Sequence, residues 1–439
     1  MNRIGIRKEE KAYEARVPLM PDQVKLLRER YHIDFLVEPN KQRALSDDEY
    51  SKVGAAVVPL KGSGAQVVFG IKEMPIGFFE KDVVYVFFSH TIKGQKYNMS
   101  MLQNILDAGA TLIDYERVVD EKGRRLIFFG NWAGMAGISD TFHVLAKRLE
   151  VDRVSPNPFV GMKSTLELKI LDAVKEEFKL LGERITEQGL PKELIPFVIG
   201  FAGYGNVSRG AQEIFDILPH EVVQPEDLPN LEPKENVLYK CVFKEEHMVK
   251  QNDSSGEFDL QDYYKTGKSK YAGVFHNYVP YLTVLMNCIY WTEKYPRLVS
   301  KDFIKRHWKE KNRRLRVIGD ISCDIGGAIE FTTKCMTPGN PAFTYIIDED
   351  RAELGVKGKG PVVMAVDNLP CELPQESSKS FGETLLGFIP VIASADFTVS
   401  SFDELDLPRE IKDAVIVYRG KLTKNYDYLK EYLQEEKTK

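Results

Sequence analysis

The chain has 439 residues, of which 43% are hydrophobic and 28% charged, and it carries a formal net charge of -5. That is too much chain for one ordinary core and predicts two or three domains. The acidic balance leaves no global positive field, which excludes nucleic acid as the default partner, and the five cysteines (Cys241, Cys288, Cys323, Cys335 and Cys371) lie too far apart for zinc ribbons or CxxC redox centres.

From the start, short β-branched or aromatic runs alternate with helical patterns: IGIR, PDQVKLLRER, IDFLVE, an acidic helix after Ser46, QVVFGI and DVVYVFFS. This alternation predicts an α/β domain. It continues with a helix near 97–108, the strand TLIDYE, a turn at EKGRR, the strand LIFFG, and a helix opened by NWAGMAGISD. After the turn-forming SPNPF, apolar residues three or four apart between 161 and 188 predict a long helix bridging two domains. IPFVIGF then reads as a buried strand leading into a glycine turn and the helix NVSRGAQEIFDIL, which begins a second α/β domain. Further strands are expected at HEVVQ, VLYKCVF, TVLMNCIYW, RVIGDIS and VVMAVD, with the polar segment from Lys250 to Tyr271 as a surface insertion. Two helical patterns, near 380–393 and 424–436, should pack back onto the first domain. The most apolar window, LLGFIPVIASA at 385–395, contains Pro390 and falls well short of the roughly 20 residues of a membrane span. The N-terminus enters a strand pattern at once, without an apolar signal core, so a cytoplasmic protein is expected.

VIGFAGYGNVSRGA places Gly203, Gly205 and Ser208 in GxGxxS spacing between a strand and a helix. One glycine permits the turn, the next lets backbone approach a pyrophosphate, and a small third residue lets the helix pack on the strand with its N-terminus facing the phosphates. An NAD site would offer a carboxylate at the end of the following strand; here Gln224 stands there, with Arg209 and Lys240 as cations for a 2′-phosphate. NADP(H) is therefore expected, with NAD the alternative if Glu226 or Asp227 takes that place. Asp320 and Asp324 bracket the turn DISCDIGG, where Asp is also a common helix cap.

In the first domain, one strand leads into Lys72-Glu73-Met74-Pro75 and the next ends at Ser89-His90. Ligands of open α/β sheets sit at such carboxyl ends. Alone, Lys72 is an ordinary solvated lysine and His90 an ordinary turn histidine. Together with Arg16, Arg124 and Arg125 they make a set of cations suited to a substrate with several carboxylates, and Glu73 and Glu116 are carboxylates able to receive an ammonium group. The basic run KRHWKEKNRRLR at 305–316 reads as a solvated helix face.

The strings IGIRKE, YEARVPLMP, FFSHTIKGQ, LIDYERVVDEKGRR, FGNWAGMAG, GYGNVSRGAQEIF, NCIYW, DISCDIGGAIEF and VDNLPCELPQESS occur in collinear order. They resemble the lysine-ketoglutarate reductase part of bifunctional aminoadipic semialdehyde synthase over nearly the full length. A more distant likeness, through KEMP and GRR, runs to fungal lysine-forming saccharopine dehydrogenase and to alanine dehydrogenase and transhydrogenase folds.

The resemblance implies an α/β architecture in which a Rossmann domain (136–374) is inserted in a substrate domain (1–135 and 375–439), with the active site in the cleft. It implies condensation of lysine with 2-oxoglutarate and reduction of the imine to saccharopine by NADPH, in lysine degradation. Lys72 and His90 match the acid-base pair, Arg16 and Arg125 the substrate carboxylate contacts, and Glu73 and Glu116 the carboxylates beside the amine. The expected cofactor contacts are Gly203, Gly205, Asn206, Val207, Ser208, Gln224 and Asp320. Partners are then small molecules, with neither nucleic acid nor membrane, and a homo-oligomer is compatible. Without a saccharopine-cleaving half, the product should pass to a separate enzyme. The rival expectations are an alanine dehydrogenase-like or other reductive aminase, and a non-catalytic nucleotide-binding subunit.

Overall fold

The computed structural model describes residues 1–253, 257–310 and 313–437. The chain divides into two compact units, Met1–Phe129 with Pro374–Lys439, and Gly130–Leu373. The first boundary falls at Phe129 rather than 135 because the continuous helix Gly130–Val151 belongs whole to the second unit. Among the described residues no helix is long and apolar enough to cross a membrane.

The first unit begins with β1 (Ile4–Ile6), β2 (Phe35–Val37), β3 (Ala56–Val57), β4 (Val67–Phe69), β5 (Val84–Phe87) and β6 (Thr111–Asp114). These strands are parallel, in the order β3-β2-β1-β4-β5-β6. All but β3 are buried throughout, which is why they read as continuous apolar runs rather than as alternation. Local signals set the crossover helices. Pro21 opens Pro21–Tyr31, the Ser46/Glu49 capping box opens Asp47–Lys52, and Gly109 in the left-handed region closes Lys96–Ala108. The strand expected at LIFFG is absent. Arg125 makes a single bridge to Val119, and Phe129 instead stacks on Phe381, with centroids 4.5 Å apart and planes 9° from parallel.

The second unit contains β7 (Val198–Ala202), β8 (His220–Val223), β9 (Leu238–Phe243), β10 (Val249–Gln251), β11 (Tyr271–Gly273), β12 (Val284–Asn287), β13 (Val317–Asp320), β14 (Ala342–Ile346), β15 (Arg351–Leu354) and β16 (Val362–Met364). Its main sheet has the order β15-β14-β16-β13-β12-β7-β9-β8, with β14 antiparallel to both its neighbours and the rest parallel. The β14–β15 hairpin was not expected from the sequence. The helix expected to bridge two domains is Leu171–Gln188, preceded by the single turn Thr165–Leu168. It lies inside this unit, with Val174, Phe178, Leu181 and Ile185 in the core. The polar insertion folds as the β10–β11 pair and a helix Leu260–Thr266, with residues 254–256 outside the described set.

Lys311 and Asn312 of the basic run also lie outside the described residues. Lys305, Arg306 and Lys309 are exposed, as a solvated helix face requires, whereas the later arginines are tied into the unit. Arg313 lies 4.5 Å over Trp308, Arg314 donates to the carbonyl of Pro196, and Arg316 pairs with Asp152.

The chain then returns to the first unit through helices Pro374–Leu385 and Ile389–Ser394, the second opened by Pro390. Before the last helix, Leu429–Lys437, it forms β17 (Val415–Tyr418) and β18 (Lys421–Leu422). β17 pairs antiparallel with β6 and extends the first sheet, where only helices were expected.

One close helix contact in the second unit rests on two glycines. Helix Gly130–Val151 crosses helix Asn206–Phe215 so tightly that a Cβ on Gly134 would lie 1.9 Å from the carbonyl oxygen of Val207, and one on Gly210 would lie 2.0 Å from that of Asn131. Backbone oxygens have little freedom to move aside. Helix propensity favours Ala over Gly by about 1 kcal/mol, whereas overpacking costs roughly 1–3 kcal/mol and occasionally more. Gly210→Ala is therefore expected to lower stability in a denaturant titration. A gain would show that the two helices can separate at little cost.

Candidate active site

Neighbouring parallel strands β1, β4, β5 and β6 release their chains at the same edge of the first sheet, and the residues just beyond them carry the charge. Past β1, buried Glu9 accepts the backbone N–H of Ile71 at 2.6 Å and of Lys72 at 3.0 Å, joining the end of β1 to that of β4. Past β4 come Lys72 and Glu73. Past β5, His90 adopts φ 48° and presents Nδ1 to Glu73 Oε1 at 2.5 Å. Past β6, Glu116 pairs with Arg125, which returns from the following turn. Lys72, His90, Glu116 and Arg125 thus all belong to this one sheet edge.

The pairings correct several expected roles. Glu73 holds the imidazole of His90 rather than standing free for a substrate ammonium, and so leaves Nε2 as the nitrogen able to exchange a proton. Arg16 is 2% exposed and engages Glu14 through Nε at 2.7 Å and Nη2 at 2.5 Å, with its guanidinium 4.2 Å over the Phe129 ring. Arg124 is committed to its own turn through Asp120. Arg125, 49% exposed, pairs instead with Glu116 at the strand edge.

Burial and charge together tune these groups. Burial pushes the Lys72 ammonium below its ordinary range; the charges of Arg16 and Lys11 add to this, while Glu14 and Glu73 oppose it. Burial and then the charge of Glu14 raise Glu9 to about 7, against its backbone donors and Arg7. For Glu73, burial raises the carboxyl, but the hydrogen bond and charge of His90 outweigh it and hold it at about 2. Behind His90, Asp114 accepts from the N–H and hydroxyl of Ser89 and from the N–H of Glu116; burial lifts it to about 6. Glu9, Glu14 and Asp114 were not singled out in the sequence. Their signal was position alone: Glu9 and Glu14 lie between the end of β1 and Arg16, and Asp114 ends β6 just before Glu116.

In the second unit the glycine turn follows β7. Gly203 has φ 95°, and a Cβ there would crowd Ile289 and the carbonyl of Cys288. Gly205 has an ordinary φ of -75°, caps helix Asn206–Phe215, and a Cβ on it would meet no protein atom within 4 Å. Glycine is thus required at Gly203 by the backbone, while at Gly205 it leaves open space. Ser208 is fully buried and accepts from Gln212 at 2.9 Å, as the packing position of the turn requires, and the Val207 carbonyl faces Gly134. The Asn206 side chain accepts from Arg209. A cavity of about 340 Å³ adjoins the turn, lined by Gly203, Tyr204, Gly205, Glu245, Tyr264 and Tyr290 among others.

Two residues of the expected cofactor set are placed differently from the glycine turn. β9 separates β8 from β7, so Gln224 at the end of β8 is one strand too far out, and its N–H is used on Asp227. The position beside the turn belongs to the end of β9, where Phe243 accepts from the Gly203 N–H and Glu245 follows. Asp320 is 1% exposed and accepts from Asn287, Thr332 and the Cys323 N–H; burial lifts it to about 6. It fixes the turn after β13 from inside.

The Glu73–His90 pair gives a direct check. In wild type the Glu73 carboxyl should titrate by NMR near 2. In His90→Ala the two largest lowering influences are gone and the midpoint should rise well above 2. An unchanged midpoint would show that His90 does not hold it down.

Two family models match the chain: alanine dehydrogenase/PNT, N-terminal domain, over residues 5–136, and alanine dehydrogenase/PNT, C-terminal domain, over residues 275–425. Alpha-aminoadipic semialdehyde synthase of Arabidopsis thaliana is 37% identical over 436 residues, covering 95% of this chain and 40% of the relative. The mitochondrial alpha-aminoadipic semialdehyde synthase of Bos taurus is 33% identical, covering 98% of this chain and 47% of the relative. The chain therefore spans less than half the length of these two proteins. The NAD(+), L-lysine-forming saccharopine dehydrogenase of Neurospora crassa is 28% identical, covering 87% of this chain and 89% of its own. Among solved structures, an L-alanine dehydrogenase aligns with a TM-score of 0.59 at 16% identity over 99% of both chains, and the transhydrogenase from Sinorhizobium meliloti with 0.56 at 13%, over 96% of this chain and 99% of its own. At such identities they show the fold alone. With both domain models matched in order, the chain belongs to the alanine dehydrogenase/PNT family.

Proposed function

We propose that the chain is an oxidoreductase that condenses L-lysine with 2-oxoglutarate and reduces the resulting imine to saccharopine with a nicotinamide cofactor, in lysine degradation. The observation that carries this reading is the shared strand edge bearing Lys72, the His90–Glu73 pair and the Arg125–Glu116 pair. The names of the relatives, aminoadipic semialdehyde synthases and lysine-forming saccharopine dehydrogenases, support the substrates.

The site meets its substrates with ions already paired. A dicarboxylate competes with Glu116 for Arg125 and releases Glu116 towards the ammonium of the amino acid, so each substrate replaces one half of an existing pair. Attack of the neutral side-chain amine on the ketone gives a carbinolamine. Loss of water, with a proton supplied to the departing hydroxyl, gives the imine. Lys72, kept below its ordinary range by burial and by Arg16, and His90 through Nε2, are placed to move these protons. Arg16 and Glu14 act on Lys72 through charge rather than through contact with substrate. When bound, the cofactor supplies the hydride that reduces the imine carbon.

The residues around Gly203 and Gly205 suit a dinucleotide. A bare backbone faces open space at the N-terminus of a ten-residue helix, beside a cavity rich in aromatic side chains. The choice between cofactors turns on Glu245, which lines that cavity and accepts from the Tyr264 hydroxyl at 2.7 Å. A carboxylate there favours ribose hydroxyls and repels a 2′-phosphate. Of the cations offered to that phosphate, Lys240 is paired with Asp216 at 2.5 Å and Arg209 is engaged with Asn206. These contacts support NADH over the NADPH expected from Gln224.

Lysine with 2-oxoglutarate should drive cofactor oxidation, and Lys72→Met should lower kcat by a factor on the order of 10² with cofactor affinity kept. Equal turnover with ammonia and pyruvate would overturn the substrate assignment. For the cofactor, kcat/KM should be higher with NADH, and Glu245→Gln should narrow the gap to NADPH. A wild-type preference for NADPH would remove Glu245 from the ribose.

A further inference from the structure

Cys335 is exposed and Cys323 is 8% exposed, and the Cys335 side chain acts directly on the Cys323 thiol. Backbone geometry independently holds them together. The Cys323 thiol donates to the Ala365 carbonyl at 3.0 Å, and the N–H of Met336, next to Cys335, donates to that same carbonyl at 2.7 Å. The Cys335 thiol in turn lies 3.6 Å from the Cys323 carbonyl oxygen. Asp320 anchors the same loop twice, accepting from the Cys323 N–H and from the Thr332 hydroxyl. Both ends of the loop are therefore fixed on common acceptors from β13 and the segment after β16.

We propose that Cys323 and Cys335 form a redox-active thiol pair, a site where peroxide-class oxidants close an intrachain disulfide that dithiol reductants reopen. The division of labour follows from exposure. The neighbouring Cys335 thiol and then burial keep the proton on Cys323, so the exposed Cys335 is the sulfur that meets the oxidant. Its thiolate attacks one peroxide oxygen, the O–O bond breaks, and the sulfenic acid forms as the other oxygen leaves as water. The Cys323 sulfur then attacks Cys335 Sγ; the S–O bond breaks, and the leaving hydroxide takes the Cys323 proton as a second water. Two thiols and one hydrogen peroxide thus give one disulfide and two waters. The other three cysteines, Cys241, Cys288 and Cys371, are buried. Burial pushes the Cys241 thiol up to about 12 and keeps it from this chemistry.

The test treats the native full-length chain with hydrogen peroxide, then unfolds it and alkylates what remains. Free thiols should fall from five to three per chain, a proteolytic peptide pair should link Cys323 to Cys335, and dithiothreitol should restore all five. Cys335→Ser, an exposed substitution that leaves the core untouched, should keep its four thiols under the same exposure. Conversion of Cys335 to sulfinic or sulfonic acid with Cys323 still alkylated would overturn the proposal. So would loss of two thiols mapped to another pair, or a disulfide between chains.

Discussion

The buried carboxylate of Glu9 accepts two backbone N–H groups from the chain leaving β4, and the position of Lys72 depends on those two bonds. Two strands only three residues long cannot by themselves fix the loops beyond them. A carboxylate that bridges their ends can, because buried N–H groups have no water to turn to and leaving them unpaired costs about 1–3 kcal/mol each. The same carboxylate lies near Glu14, whose bidentate bond to Arg16 brings a guanidinium close enough to depress Lys72. Glu9 thus fixes where the amine sits, while burial first and the Arg16 charge second set how readily it gives up its proton.

The second unit solves a different problem with less charge. Its glycine turn is positioned by the close crossing of helices Gly130–Val151 and Asn206–Phe215, where backbone meets backbone at Gly134 and Gly210. The helix behind the turn is thereby pinned by that packing, with Ser208 fully buried in its first turn. What remains open at its N-terminus is the space above Gly205, left by a residue whose own backbone does not demand glycine.

Most of the strands and helices were legible because each carried a local signal: continuous apolar runs for the buried parallel strands, capping boxes and terminal glycines for the helices. Tertiary pairing overrode or hid the rest. LIFFG has strand composition, but Phe129 finds a better partner in Phe381 than in a neighbouring strand. VIVY at 415–418 was hidden among helical patterns although it completes the first sheet beside β6. Gln224 was misplaced because chain order was taken for spatial order; nothing local announces that β9 slips between β8 and β7. At the site, Lys72, His90, Glu116 and Arg125 were visible as charged residues at strand ends. Which charge pairs with which was not, since Glu73 is as close in sequence to Lys72 as a residue can be and yet bonds His90, seventeen positions on.

Those pairings give the strand edge opposite responses to pH, and this follows from the signs of the shifts. Glu73 is held at about 2, below its ordinary 4.5, so its ionised form favours the folded state; that contribution is complete above 4.5 and is lost as pH falls towards 2. Glu9 is raised from 4.5 to about 7, so its protonated form is the one the fold favours, and stability is given up as pH rises from 4.5 through 7. Lys72, displaced downward, likewise leans towards its neutral form. Burial thus moves an acid and an amine towards neutrality at the same place, while one fully ionised carboxylate keeps the imidazole oriented. A strand edge built this way keeps little uncompensated charge when empty, and it retains groups able to take or release a proton close to neutral pH, which is what a reaction that adds an amine, expels water and protonates a product nitrogen demands.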